Sequence, residues 1–303
     1  MTGRFREPSD RLAQLIVVVV TPWLRQLHPL VLKQRWEWRG LRLDPTRLPV
    51  PLKSPGERDF IITGCPRTGT SLLGAALFQP PTCITLVEPW AGMRAAPAAL
   101  FSEMRAQISS SGRVDVGTLD FDALSRGEVR RCSEGSSATE VEIAESTLLG
   151  IKWPSFFRYL ALLPDTKFVV CMRHPFEVLR SMERIGGSLQ RGQDYDLPFN
   201  RAMNRELRAR AADAALRRIE MFDYVHERIL PYLEAPNVFA VRYERWWTDP
   251  HALVAELGAF LSAELRGPAI EIRDEKPVDL DEDTKRFIRR HSRMAHRLGY
   301  SLA

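Results

Sequence analysis

Residues 59–78 read DFIITGCPRTGTSLLGAALF, and three signals follow one another within them. The apolar run Asp59–Thr63, bounded by turn residues, predicts a buried parallel strand. Gly64-Cys65-Pro66-Arg67-Thr68-Gly69-Thr70-Ser71 is a glycine-rich turn, and Leu72–Phe78 predicts a helix that stops before Pro80-Pro81. A turn of this kind aims several backbone N–H groups and a helix dipole at one point, which makes an anion site. Gly64 and Gly69 allow the backbone to curl and approach the anion, and Thr70 and Ser71 add hydroxyl donors. The Gly-x4-Gly spacing imitates the loop of nucleotide triphosphatases, where the next residue is Lys. Here it is Thr70, and the cation has moved into the loop as Arg67. No acidic strand end follows either, since Lys167–Met172 runs into Arg173. Both departures argue against triphosphate chemistry and favour a donor with a single 5′-phosphate-linked leaving group.

Outward from the loop, strands and helices alternate. Cys83–Val87, Leu148–Lys152, Lys167–Met172 and Asn237–Val241 are strand candidates. Helices are expected at Ser155–Leu163, Pro175–Met182, Pro250–Leu261 and Glu282–Leu298, and Asn200–Leu230 as one helix or a pair. The stretch Met93–Glu145 reads as helices and loops inserted on the domain. This alternation predicts an α/β fold, a doubly wound parallel sheet with flanking helices of the P-loop-like type. Residues 58–303 form the main domain, with insertions at about 90–145 and 183–230 on the acceptor side. Residues 1–57 precede it as an N-terminal helix, Thr21 to Gly40, and a Pro-rich connector, Asp44–Pro55. Leu12–Leu24 is uncharged but, at 13 residues, short of the roughly 20 that span a bilayer. The helix after it reads as packed on the domain, with a peripheral membrane contact as the sharper alternative.

Of the 303 residues, 43 are Lys or Arg against 38 Asp or Glu, a formal charge of +5. That mild excess, with no basic cluster, argues against nucleic acid as the partner. Only six of the cations are lysines, which singles out any lysine inside a motif. The four cysteines show no metal-site spacing and fit a reducing, cytoplasmic setting better than a disulfide framework. The Arg-dense stretch Arg201–Arg218 is interleaved with acids and reads as a solvated face.

Three segments together resemble the sulfotransferases that use 3′-phosphoadenosine 5′-phosphosulfate. Gly64–Leu73 is similar to the family's 5′-phosphosulfate loop. Phe168–Ser181, a strand followed by Arg173 and by Ser181 eight positions later, is similar to its 3′-phosphate segment. Val241–Trp246, VRYERW, with Asp249-Pro250 behind it, resembles its late strand and Tyr-Glu motif, and Gly299-Tyr300 resembles the terminus of many members. The loop arginine is nearest the bacterial and tyrosylprotein-type branch.

The resemblance implies a role for each matching residue. Arg67 would face the 5′-phosphate and the moving sulfo group, with Thr68, Gly69, Thr70 and Ser71 around the phosphate. Arg173 and Ser181 would hold the 3′-phosphate, and Tyr243 would lie near the nucleotide. Lys152, in a Lys-x-Pro motif at a strand end, would stabilise the bridging oxygen or sulfo group. Glu88, 21 residues after Arg67, would be the base; no histidine lies between His28 and His174. His174 stands where the family usually has Asp. The expected reaction is in-line sulfo transfer to an acceptor hydroxyl of a carbohydrate, lipid-linked glycan, small metabolite or tyrosine, with no metal required. A P-loop-type kinase and a non-catalytic nucleotide- or glycan-binding protein are the alternatives. Neither the acceptor nor the oligomeric state is readable.

Overall fold

The apolar run after Asp59 forms strand β1 (Phe60–Gly64), whose residues are all buried at the middle of a sheet. The computed structural model describes residues 58–89, 97–117, 120, 137–141, 143–144, 146–194, 200–271 and 280–302. The N-terminal helix and Pro-rich connector expected from the sequence lie outside the described residues. Within them, β1 is joined by β2 (Cys83–Val87), β3 (Arg113–Gly117), β4 (Ser137–Glu140), β5 (Leu148–Lys152), β6 (Lys167–Met172) and β7 (Val238–Arg242). The sheet order is β4-β3-β2-β5-β1-β6-β7. Every pairing is parallel except β3 with β4 at one edge.

Helices α1 (Thr70–Ala76), α2 (Pro97–Ser111), α3 (Pro175–Arg184), α4 (Gly187–Gln190), α5 (Arg201–Arg210), α6 (Ala214–Ile229), α7 (Arg245–Thr248), α8 (Pro250–Leu261) and α9 (Glu282–His291) connect the strands. The α/β fold expected from the sequence is present. Phe60, Ile62, Val169, Cys171 and Val241 share one core with Leu73 of α1 and Leu253, Val254 and Leu257 of α8. Strand alternation sends Ile61, Phe168 and Val170, all buried, to the opposite face. Both faces of the central strands are therefore covered, as parallel sheets require. Asp59 anchors the start of β1 by accepting from Arg105 of α2 and, at 3.3 Å, from the Leu149 amide of β5.

Three boundaries differ from the sequence expectation, and a fourth resolves one of its alternatives. The 93–145 region contains strands β3 and β4 as well as helix α2. Ser155–Leu163 is not an α-helix but a 3-10 segment, Pro154–Tyr159. The long charged stretch, expected as one helix or a pair, is a pair, α5 and α6, with Asp213 capping α6 by accepting from Ala215 N at 2.7 Å. The last helix ends at His291 rather than Leu298. There the buried Asp223 carboxylate accepts from Ser292 Oγ at 2.6 Å, Arg293 N at 2.7 Å and Met294 N at 3.1 Å. Amides held by that carboxylate are turned away from the next helical turn.

Candidate active site

Five parallel strands end on the same edge of the sheet, and each delivers a residue singled out in the sequence. β1 runs into the Gly64–Ser71 loop, β2 into Glu88, β5 ends on Lys152, β6 runs into Arg173 and β7 into Tyr243. Register fixes their order: Val87 lies opposite Lys152, Gly64 opposite Cys171, and Met172 opposite Arg242. Two bonds past the strand ends extend the ladder, Glu88 N to Lys152 O at 2.9 Å and Tyr243 N to Met172 O at 2.8 Å. β5 and β6 flank β1, so Lys152 and Arg173 stand on either side of it, with Arg173 four residues further along than Val169, the residue level with Lys152. The carboxyl edge of an open parallel sheet is where such folds bind ligands.

The loop is held tightly. Thr68 is fully buried, and its N–H and hydroxyl both donate to Cys65 O, at 3.2 and 2.7 Å. Its groups shape the turn, and the amides of Gly69, Thr70 and Ser71 follow at the start of α1, where no intrahelical acceptor exists. Gly64, at φ 151°, could not carry a side chain, since a Cβ would stand 2.5 Å from Cys171 O. Gly69, at φ 93°, has the Tyr243 ring packed against its α-carbon. Arg67 adopts φ 76°, a left-handed conformation costing about 1–3 kcal/mol for a residue with a side chain. From there its Nε donates to Ser181 Oγ at 2.9 Å.

That bond ties the loop to helix α3 at a pocket of about 240 Å³. Arg67, Arg173, Glu177, Arg180, Ser181 and Arg184 line it. Arg173 is fixed from two sides, with Nη2 3.2 Å from Glu177 Oε2 and the guanidinium carbon 4.1 Å from the centre of the Tyr243 ring. Arg180 pairs with Glu183 at 2.7 Å, and its Nε is buried without a hydrogen-bond acceptor. Glu177, Arg180 and Arg184 were not among the candidates. Their signal was the spacing of Glu177, Arg180, Ser181 and Arg184 at three, four and seven residues from the first, which puts all of them on one side of the helix. Four guanidiniums around one small cavity make a site for a multiply charged, oxygen-rich anion.

On the other side of β1, Lys152 Nζ donates to Glu88 Oε1. The lysine side chain is 1 % exposed and the glutamate 13 %, so the pair sits largely out of water. Burial of such a pair demands this direct contact. Glu88, at φ 55°, is also left-handed. It and Arg67 are two of the three non-glycine residues described with positive φ. The sequence candidates therefore fall into two groups, an arginine-lined pocket (Arg67, Arg173, Ser181, with Tyr243 behind) and an acid–base pair (Glu88, Lys152).

His174, in the place of the family's usual aspartate, caps α3: its Nδ1 accepts from Phe176 N at 3.2 Å, and Pro175 fills the first helical position. An imidazole nitrogen performs here the bond a carboxylate oxygen would make.

A model of the Sulfotransferase family matches residues 59–266, well over half of the chain, and the chain belongs to that family. The match covers β1 to the end of α8 and takes in both groups of site residues. Among solved structures, the chain is similar to a sulfotransferase from Alicyclobacillus acidocaldarius (16 % identity, TM-score 0.41, covering 82 % of this chain and 96 % of that one). It is also similar to sulfotransferase STF1 from Mycobacterium tuberculosis H37Rv (14 %, 0.37, 88 % and 79 %). A third is mouse sulfotransferase SULT7A1, solved in complex with PAP (11 %, 0.33, 82 % and 69 %). No curated protein matches the sequence.

Proposed function

We propose that this sulfotransferase takes its sulfo group from 3′-phosphoadenosine 5′-phosphosulfate and passes it to an acceptor hydroxyl. The observation that carries the reading is the Arg67–Ser181 bond. It joins the 5′-phosphate loop and the Arg173/Ser181 pair in one arginine-lined pocket, as a donor with phosphates on both sides of its ribose requires. The fit is chemical as well as spatial. Each arginine offers a planar fork of donors to phosphate oxygens, and Gly69 leaves room for Tyr243 behind the site.

In the transfer, the bond from sulfur to the bridging phosphate oxygen breaks and a bond from sulfur to the acceptor oxygen forms. The acceptor's proton leaves for a base. Arg67 supplies positive charge at the loop, and Lys152 stabilises the negative charge that develops on the leaving side. Glu88 takes the proton. For Glu88 to act, its contact with Lys152 has to give way to the acceptor hydroxyl, because a carboxylate bound by an ammonium is a poor base. The acceptor class is a carbohydrate, lipid-linked glycan, small metabolite or tyrosine hydroxyl.

The test uses donor labelled in the sulfo group against a panel of these acceptors. With an acceptor that is turned over, Glu88→Gln is expected to lower kcat by about 10²–10⁴ while binding of 3′-phosphoadenosine 5′-phosphate stays intact. Full activity in that variant would remove Glu88 from the mechanism, and no label transfer to any acceptor by wild type would count against turnover.

A further inference from the structure

The segment Gly299–Ser301 contacts the chain beside Arg173 through His174 and Tyr300, two side chains the reaction does not use. Because His174 Nδ1 accepts from an amide, the proton of the neutral ring is on Nε2, and Nε2 donates to Ser301 O at 2.8 Å. The Tyr300 ring lies edge-on to His174, with centroids 5.3 Å apart, and its hydroxyl donates to Glu244 Oε2 at 3.3 Å. Glu244 Oε1 in turn accepts from His174 N at 2.7 Å. On the other side of the ring, the Arg242 guanidinium stands 4.6 Å from the Tyr300 centroid and donates to Leu298 O at 3.0 Å. These contacts close a ring between β7, the β6–α3 junction and the terminal segment.

Arg173 sits at that junction. Its preceding carbonyl, Met172 O, accepts from Tyr243 N at 2.8 Å, and its following amide, His174 N, is the one bound by Glu244. The backbone on both sides of Arg173 is thus pinned, and the second pin depends on Glu244 and His174, both gripped by Tyr300 and Ser301. We infer that Gly299–Ser301 is a clasp that positions Arg173 for the donor's 3′-phosphate, with His174 as the positioning residue that replaces a carboxylate cap by one able to bind the clasp as well. An aspartate at 174 would cap α3 but has no proton for Ser301 O. The inference rests on the proposal that Arg173 holds a 3′-phosphate.

The experiment measures, by calorimetry, the affinities for adenosine 3′,5′-bisphosphate and adenosine 5′-monophosphate, with a thermal melt of each variant. The ratio of the two affinities isolates the 3′-phosphate. His174→Ala is expected to cut the ratio roughly five- to tenfold and leave monophosphate affinity unchanged. Tyr300→Phe, a milder change, is expected to cut it about threefold. His174→Asn, whose amide oxygen can recap α3, is expected to recover part of the loss. A combined His174→Ala/Tyr300→Phe variant should lose less than the product of the two, because both act through one network. A lower melting temperature with an unchanged ratio, in either single variant, would make the clasp a stability element only and overturn the inference. A wild-type ratio near one would instead reject the 3′-phosphate site, and the clasp's role with it.

Discussion

Gly69 shows how much of the site depends on one missing side chain. Its φ of 93° suits glycine, and the Tyr243 ring occupies the space a Cβ would take. Gly69→Ala is expected to displace either the loop or Tyr243, and Tyr243 is the surface on which Arg173 rests. Donor-product binding should fall by at least roughly tenfold, with the melting temperature lowered by a few degrees; calorimetry on the folded variant checks this. The positions of Glu88, Lys152 and Arg173 at strand ends and of Arg67 in the loop were legible in the sequence, and the sheet register brings those strand ends to one edge; Ser181, on α3, was marked by resemblance alone. Thr68 was legible as a loop residue but not as an inward one, since its hydroxyl's partner is a carbonyl three residues back in the turn. The ion pair of Lys152 with Glu88 joins positions 64 apart, and no spacing rule connects them.

At the scale of elements, α3 is the part of the site that the sequence underdescribed. Its pocket side carries Glu177, Arg180, Ser181 and Arg184, whereas the motif marked only Ser181. Glu177 pairs with Arg173 and Glu183 with Arg180, and the pocket still gathers the guanidiniums of Arg180 and Arg184 from this helix. Arg180→Gln and Arg184→Gln are each expected to weaken 3′-phosphoadenosine 5′-phosphate binding by about three- to tenfold, more at low salt, and to leave adenosine 5′-monophosphate binding unchanged. Equal losses for both nucleotides would place these arginines elsewhere on the donor. Strands β3 and β4 escaped the sequence reading for a different reason. Arg113-Val-Asp-Val-Gly117 and Ser137-Ala-Thr-Glu140 lie towards one edge of the sheet, where polar residues are tolerated and no apolar run announces a strand. The central strands β1, β2, β5 and β6 were plain because burial on both faces imposes such runs.

For the molecule as a whole, the arginine surplus has a structural use that composition hides. Arg105 binds Asp59 and Thr147 O, Arg218 donates to Gln190 O at the end of α4, and Arg293 bridges Glu220 and Glu227. These arginines hold elements together through carboxylates and carbonyls, whereas the pocket is lined by four guanidiniums. Acid stability has a separate origin. His226 is fully buried against Phe222, and burial pushes its imidazole down from 6.5 to about 4. The unfolded chain therefore binds a proton in this interval that the folded one does not. Stability from His226 is complete above about pH 6.5 and is lost as pH falls towards 4. Asp59 and Asp223, pushed up by burial, work in the opposite sense, so the readout is a difference. Melts of wild type and His226→Leu across this range should converge as pH falls, and parallel curves would show that His226 does not titrate on unfolding.

The central claim is the donor, and a metal-free calorimetric titration with 3′-phosphoadenosine 5′-phosphate, run beside one with ATP and magnesium, tests it most directly. The pocket predicts that the bisphosphate binds without metal and more tightly than ATP, and that Arg173→Ala removes the difference. A preference for ATP with magnesium, or no metal-free binding of the bisphosphate, would contradict it.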